Sequence, residues 1–140
     1  MRLLDVNVLL AVAWPIHQHH SAALRWLERE ARAGWATCAL TELGFVRLSS
    51  NPAFTRQAVT PPEAIELLGR LRGFGKHRFL DALPSVDVLA SLPLAGHQQL
   101  TDAFLVKTAE LHRGMLVTFD RGAVVHDPSR KRVLVLDPEA

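Results

Sequence analysis

Apolar residues along this chain come in two patterns. Short, near-continuous runs, such as Leu3-Leu4, Trp35 to Leu40 and Met115 to Phe119, alternate with longer stretches in which apolar residues recur every three or four positions. The first pattern predicts strands buried on both faces, and the second predicts amphipathic helices packed against them. Read in order, Arg2-Leu3-Leu4 predicts a first strand ending at Asp5, and Val6 to Trp14 predicts an apolar helix stopped by Pro15. Ser21 is the expected cap of the next helix, with Leu24, Leu27 and Ala31 on one face and Gly34 closing it. Trp35 to Leu40 predicts a second strand, and Thr41 the N-cap of a helix reaching about Leu48 before Asn51-Pro52 breaks the chain.

Thr60-Pro61-Pro62-Glu63 has the composition of a helix start: a hydroxyl cap, proline in the first turn, and glutamate three residues on. Ala64, Leu67, Leu68 and Leu71 follow at helical spacing. Between Gly73 and Gly96 the pattern is weak; Arg78 to Leu83 is assigned to a strand and Val86 to Leu92 to a short helix. Thr101 or Asp102 opens another helix through His112, ended by Gly114, and Met115 to Phe119 and Val133 to Leu136 predict the last strands. Strands alternating with helices make the fold class α/β: a central, mostly parallel sheet flanked by helices in three layers. No linker divides residues 1–140, so one domain is expected.

Composition narrows the function classes. With 49% apolar residues and a formal net charge of +2, the chain can bury a core and is not a disordered tail. No apolar run reaches the ~18 residues a membrane span needs. The acid at Asp5 interrupts what would have to be a leader, so a cytoplasmic protein is expected. Cys38 is the only cysteine, which excludes an internal disulfide and a cysteine-based zinc site, and its apolar surroundings predict a buried structural thiol. Thirteen arginines against three lysines permit phosphate recognition, although an arginine-rich coding bias would give the same ratio.

Chemistry is expected beyond the carboxyl ends of the strands, where open α/β sheets bind ligands. Asp5 ends the first strand, Glu42 follows the second by two residues, Asp102 stands at a helix start, and Asp120 ends the Met115–Phe119 strand. Four carboxylates converging on one rim repel, and two charges ~4 Å apart cost about 4 kcal/mol at an effective dielectric of ~20. A cation relieves this, and hard oxygen donors without cysteine or histidine suit Mg²⁺ or Mn²⁺. Such ions activate water and neutralise charge on a phosphodiester during in-line displacement. Each acid also has a plain structural explanation: Asp102 and Glu42 as helix caps, Asp120 as a turn residue before Arg121-Gly122. Asp5, between Leu3-Leu4 and an apolar run, is the hardest to explain that way.

These residues resemble the PIN-domain family. Asp5-Val6-Asn7-Val8-Leu9-Leu10 is similar to its opening motif, Thr41-Glu42 to its second acid, Thr101-Asp102-Ala103 to its third, and Thr118-Phe119-Asp120 to its last. The resemblance runs over nearly the whole chain. Gly34-Trp35-Ala36-Thr37-Cys38, Gly44-Phe45-Val46-Arg47-Leu48-Ser49 and Thr118-Phe119-Asp120-Arg121-Gly122 resemble VapC-type toxins in particular. Val6 departs from the pattern, standing where many relatives carry a hydroxyl.

The resemblance implies a Mg²⁺- or Mn²⁺-dependent endoribonuclease that cuts RNA with metal-activated water. It also implies the toxin half of a toxin–antitoxin pair, a homodimer inhibited by a VapB-like antitoxin. Asp5 and Asp102 would be metal ligands, with Glu42 and Asp120 completing the site directly or through water, and Asn7 and Thr118 orienting them. Apart from the resemblance, Arg121 beside Asp120 is a candidate either to touch phosphate or to be a surface turn residue. A partner is expected on the faces of the Ala22–Ala33 and Ala64–Leu71 helices, with an inhibitor arginine or lysine near Asp5 and Asp102.

Other readings remain open. A housekeeping PIN nuclease without an antitoxin would have the same acids. A dehalogenase-like phosphatase wants an aspartate where Asn7 stands and a lysine near a later strand tip, and a binding module would use the acids only as caps. His17, His19 and His20 read as a solvated helix start, and Trp14, Trp26 and Trp35 as core.

Overall fold

The computed structural model describes residues 1–139. The chain runs β1 (Arg2–Leu4), α1 (Val6–Ala13), α2 (His20–Glu30), β2 (Trp35–Cys38), α3 (Ala39–Ser49), α4 (Pro61–Arg72), β3 (His77–Leu80), α5 (Leu100–Leu111), β4 (Met115–Thr118) and β5 (Val133–Val135). Single 3₁₀ turns at Val86–Leu89, His97–Gln99 and Arg121–His126 fill the connections.

All strand pairs are parallel, in the order β3-β2-β1-β4-β5. Each strand therefore delivers its carboxyl end to the same edge of the sheet, and the reversal of strand order beside β1 opens a crevice there. Alternation along the strands divides the core. Leu4, Trp35 and Val117 pack with Val8, Leu9, Trp26, Leu27, Phe45 and Leu68 from α1 to α4. Leu3, Ala36 and Leu116 face the other way and pack with Leu105, Val106 and Ala109 of α5. The expected three-layer α/β architecture is the observed one, with a sheet that is wholly parallel.

Several boundaries differ from the sequence expectation. The Trp35–Leu40 run splits: β2 ends at Cys38, and Ala39-Leu40 open α3. An alanine-leucine pair suits either element, and a hydroxyl decides it. Thr41 is not the cap but the third helical residue, whose Oγ1 accepts from Cys38 N at 3.0 Å. The second helix starts at His20 rather than Ser21, with His19 at the cap position and no side-chain cap bond. Gln99 rather than Thr101 or Asp102 precedes α5, so Asp102 lies inside its first turn. At the sheet edge β3 spans His77–Leu80, and because Arg78 and Phe79 are exposed there, no apolar run marks it. By contrast, α4 begins as predicted, Thr60 Oγ1 accepting from Glu63 N at 3.3 Å.

Two glycines permit close approach. A Cβ on Gly44 would stand 2.7 Å from Val6 Cγ2, so Gly44 lets α3 lie against the start of α1. Gly75 has φ +63°, and a Cβ there would meet Ala31 at 2.5 Å, so it turns the chain into β3 against the end of α2.

Candidate active site

Asp5 sits where β1 becomes α1. Its N–H donates to Val117 O at 2.9 Å, continuing the β1–β4 ladder. The residue is buried, Oδ1 accepting from Val6 N at 2.7 Å and Oδ2 from Thr118 Oγ1 at 2.7 Å. It thus caps α1, but capping engages Oδ1 only, and each carboxylate oxygen has a second lone pair.

Thr118, at the end of β4, organises the neighbourhood. Its single hydroxyl proton goes to Asp5, so its oxygen accepts from Asn7 Nδ2 at 3.1 Å and Asp120 N at 3.0 Å. Asn7 Oδ1 in turn accepts from Phe119 N at 3.2 Å. The first and fourth strands are therefore tied through Asn7 and Thr118, the two residues expected to orient the acids. Asp120 is exposed and Asp102 half-buried. Asp120 Oδ1 accepts from Gly122 N at 2.8 Å, fixing the turn that follows.

Three carboxyl groups feel each other here. Burial pushes the Asp102 carboxyl up to about 7, helped by the hydrogen bond it shares with Asp120 and by the charges of Asp5 and Asp120. Burial also raises Asp5, with Asp120 adding to the effect and the bonds from Thr118 and Val6 opposing it. No cationic side chain figures in either balance. The structure thus brings Asp5, Asp102 and Asp120 together.

Glu42 belongs to a different set of contacts. Arg72 Nη1, from the end of α4, reaches Glu42 Oε1 at 3.0 Å and Oε2 at 3.2 Å. Thr37 Oγ1 donates to Glu42 Oε2 at 2.6 Å and, its proton used, accepts from His77 Nε2 at 2.8 Å. Burial lowers the His77 imidazole, Glu42 pulling it up and Arg72 down, so His77 is a neutral donor in this chain of bonds. Glu42 is not among the charges acting on Asp5 or Asp102. Arg72, Thr37 and His77 escaped sequence reasoning because they lie on three different elements and carry no motif.

Arg121 is exposed and, among the described residues, makes no ion pair. Nor are the histidines before α2 a solvated helix start: His19 stacks on Phe119 with ring centroids 4.8 Å apart, His17 lies 5.6 Å from His19, and His20 Nδ1 bonds Ala11 O at 2.7 Å.

Asp5 and Asp120 follow the ends of two adjacent parallel strands joined through the Asn7–Thr118 pair, and the family model for the PIN domain matches residues 2–126. The chain belongs to the PIN domain family. Among relatives of this PIN domain, Ribonuclease VapC38 of Mycobacterium tuberculosis is 46% identical over 123 residues, 87% of this chain and 86% of that protein. Ribonuclease VapC39 of the same species is 41% identical, over 84% of this chain and 87% of that protein. The fold is similar to that of VapBC2 from Rickettsia felis, solved bound to a DNA fragment from their promoter. The TM-score is 0.64 and the identity 14%, over 97% of this chain and 98% of that one. A domain of a functionally unknown Methanocaldococcus jannaschii protein gives 0.52, at 14% identity over 97% and 90%.

The three aspartates fit a hard divalent cation. All their donors are carboxylate oxygens, and the proton that Asp102 retains up to about pH 7 is what a cation would replace. Among the described residues no three acid, histidine or cysteine side chains are already drawn together as a ligand cage. No described helix is long and apolar enough to cross a membrane.

Proposed function

We propose that this PIN domain is a Mg²⁺- or Mn²⁺-dependent endoribonuclease and the toxin of a toxin–antitoxin pair. The observation that carries the reading is the crowding of Asp5, Asp102 and Asp120, which among the described residues form no ion pair, in a chain 46% identical to Ribonuclease VapC38. Asp5, Asp102 and Asp120 would hold the ion, and Glu42, already paired with Arg72, is left out of the set. When bound, the ion supplies an activated water and neutralises charge on the phosphodiester.

The protein's own contribution is positional. Thr118 Oγ1 and Val6 N fix both Asp5 oxygens, and Asn7 locks the Thr118 strand end to α1. Gly122 N holds Asp120 in the turn after β4, and the exposed Arg121 beside it would meet a phosphate. Exposed nucleotides in single-stranded or looped RNA are the expected substrate.

The ribonuclease names of the relatives support action on RNA, and the solved VapBC2 assembly supports a VapB-type antitoxin. An acidic groove attracts a cation, so the inhibitor should place an arginine or lysine beside Asp5 and Asp102. Ile65 on α4 and Leu43 on α3, 54% and 65% exposed, are apolar surface available to a second protomer or to the antitoxin.

The deciding experiment is incubation of the purified protein with RNA and Mg²⁺, with and without EDTA, beside Asp5→Asn. Cleavage that needs the metal and Asp5 is expected, and full activity of Asp5→Asn would overturn the reading. Expression alone should arrest growth, and the small neighbouring gene should restore it. Harmless expression of a protein that still cuts RNA would leave a nuclease but not a toxin.

A further inference from the structure

The segment joining α1 to α2 puts aromatic rings beside the acidic rim. His19 stacks on Phe119 with centroids 4.8 Å apart and planes 29° from parallel, and His17 is tilted 53° against His19 at 5.6 Å. Phe119 is the residue between Thr118 and Asp120, and its N–H is held by Asn7. The rings are thus attached to the strand end that carries the site.

The segment is also held in shape without a ligand. His17 Nδ1 accepts from His19 N at 3.0 Å, and His20 Nδ1 bonds Ala11 O at 2.7 Å. Backbone bonds run from His17 N to Trp14 O, from His20 N to His17 O, and from Ala23 N to His19 O, each 3.0 Å. A metal role fits poorly, because one nitrogen each of His17 and His20 is already bonded to backbone and the His19 ring presents its face to Phe119. Among the described residues these histidines form no metal-binding group.

All three rings are part-exposed rather than sealed in the core. Single-stranded nucleic acids are held by stacking of bases on aromatic or histidine rings, and rings fixed in advance lose little freedom when a base arrives.

We infer that the His17–His19–Phe119 step stacks a nucleobase of single-stranded RNA next to the phosphate presented to Asp5, Asp102 and Asp120, with His19 as the substrate-positioning residue. This rests on the ribonuclease reading and deepens it: the substrate is single-stranded, and one of its bases leaves its own stack to lie on this step.

The test uses His19→Phe, which keeps a flat ring, and His19→Leu, which keeps bulk against Phe119 but no ring face. A fluorescein-labelled single-stranded RNA of mixed sequence is the probe, read as KM and kcat with Mg²⁺ and as binding anisotropy in EDTA, with melting temperature as the check on folding. His19→Phe should match the wild type within about twofold. His19→Leu should raise KM and weaken binding about tenfold with kcat little changed, the size expected for one lost base stack. Equal behaviour of the two variants would overturn the inference, since a packing role is met by both. So would a fall in kcat at unchanged KM, which would put a His19 nitrogen in the chemistry. If the wild type cuts no RNA but binds it, and only His19→Leu loses binding, the ribonuclease reading fails while the stacking step stands. Absence of RNA binding by the wild type sinks the step itself.

Discussion

Two groups of acids lie near the carboxyl edge of this sheet, and they are treated oppositely. Glu42 is satisfied from within: Arg72 meets both of its oxygens, Thr37 donates a hydroxyl, and His77 supports Thr37. Asp5, Asp102 and Asp120 have hydrogen bonds but, among the described residues, no ion-pair partner, and burial, aided by Asp120 and Asp5, raises Asp102 to about 7. A compensated acid holds structure together. An uncompensated cluster costs stability, and perturbed carboxyl groups of this kind are candidates for a functional site.

The largest effect that would break this contrast is on catalysis. Asp5→Asn should lower RNA cleavage at least ~100-fold by removing a charge made for the reacting centre, while Glu42→Gln should cost far less. Equal losses in a cleavage assay would place Glu42 in the reacting site after all. Next comes stability: Arg72→Met leaves Glu42, 15% exposed, without its cation and should destabilise the fold by about 1–2 kcal/mol in urea, the partial exposure of Arg72 keeping the figure low. The double variant with Glu42→Gln should recover part of that, and additivity of the two changes would show that the pair does not interact.

Smaller and opposite in sign is Asp102→Asn without metal. A folded-state value raised to about 7 means the native protein keeps a proton that the unfolded chain releases near about pH 4, so this site subtracts stability as pH rises between those values. Asp102→Asn should raise the melting temperature by a few degrees at pH 8 and by less at pH 5, about 1 kcal/mol being worth ~3–5 °C in a domain of this size. It should also blunt the stabilisation by Mg²⁺. A lower melting temperature at pH 8 would contradict the crowding. Smallest is Asp127. Burial raises its carboxyl, but bonds from Ser129 Oγ and the backbone N–H groups of Arg132 and Val133 outweigh this and bring it below the ordinary value. Its stabilisation is present above about pH 4 and lost below, so Asp127→Asn and wild type should differ in melting temperature at pH 7 and converge toward pH 3.

Much of this was legible in the sequence where function and pattern coincide. Asp5, Thr118 and Asp120 stand at the ends of buried strands, which the apolar runs locate, and Asn7 and Asp102 stand in the first turns of helices. The pairing of Glu42 with Arg72 was not legible, because it depends on how α4 crosses α3 and not on any local spacing. β3 was legible only in part, the strand expected over Arg78–Leu83 overlapping it at Arg78–Leu80, because this edge strand exposes an arginine and a phenylalanine. The split of Trp35–Leu40 was invisible because Ala39 and Leu40 suit strand and helix alike, and only Thr41 bonding back to Cys38 settles the boundary. The histidines before α2 were misread because a stacking partner a hundred residues away leaves no trace beside them.

The order of the strands has a consequence for biosynthesis. β1 lies between β2 and β4, and Asp5 is gripped by a hydroxyl 113 residues further along. A growing chain carries Asp5 and Asn7 long before it carries Thr118 and Asp120, since Thr118 follows Asp5 by 113 residues. Domains fold as units during synthesis, and pairings this distant in sequence close late. Asp5 therefore gains its Thr118 partner, and Asp102 its Asp120 neighbour, only once the β4 segment has been made, so copies that stop before it carry no assembled acid cluster.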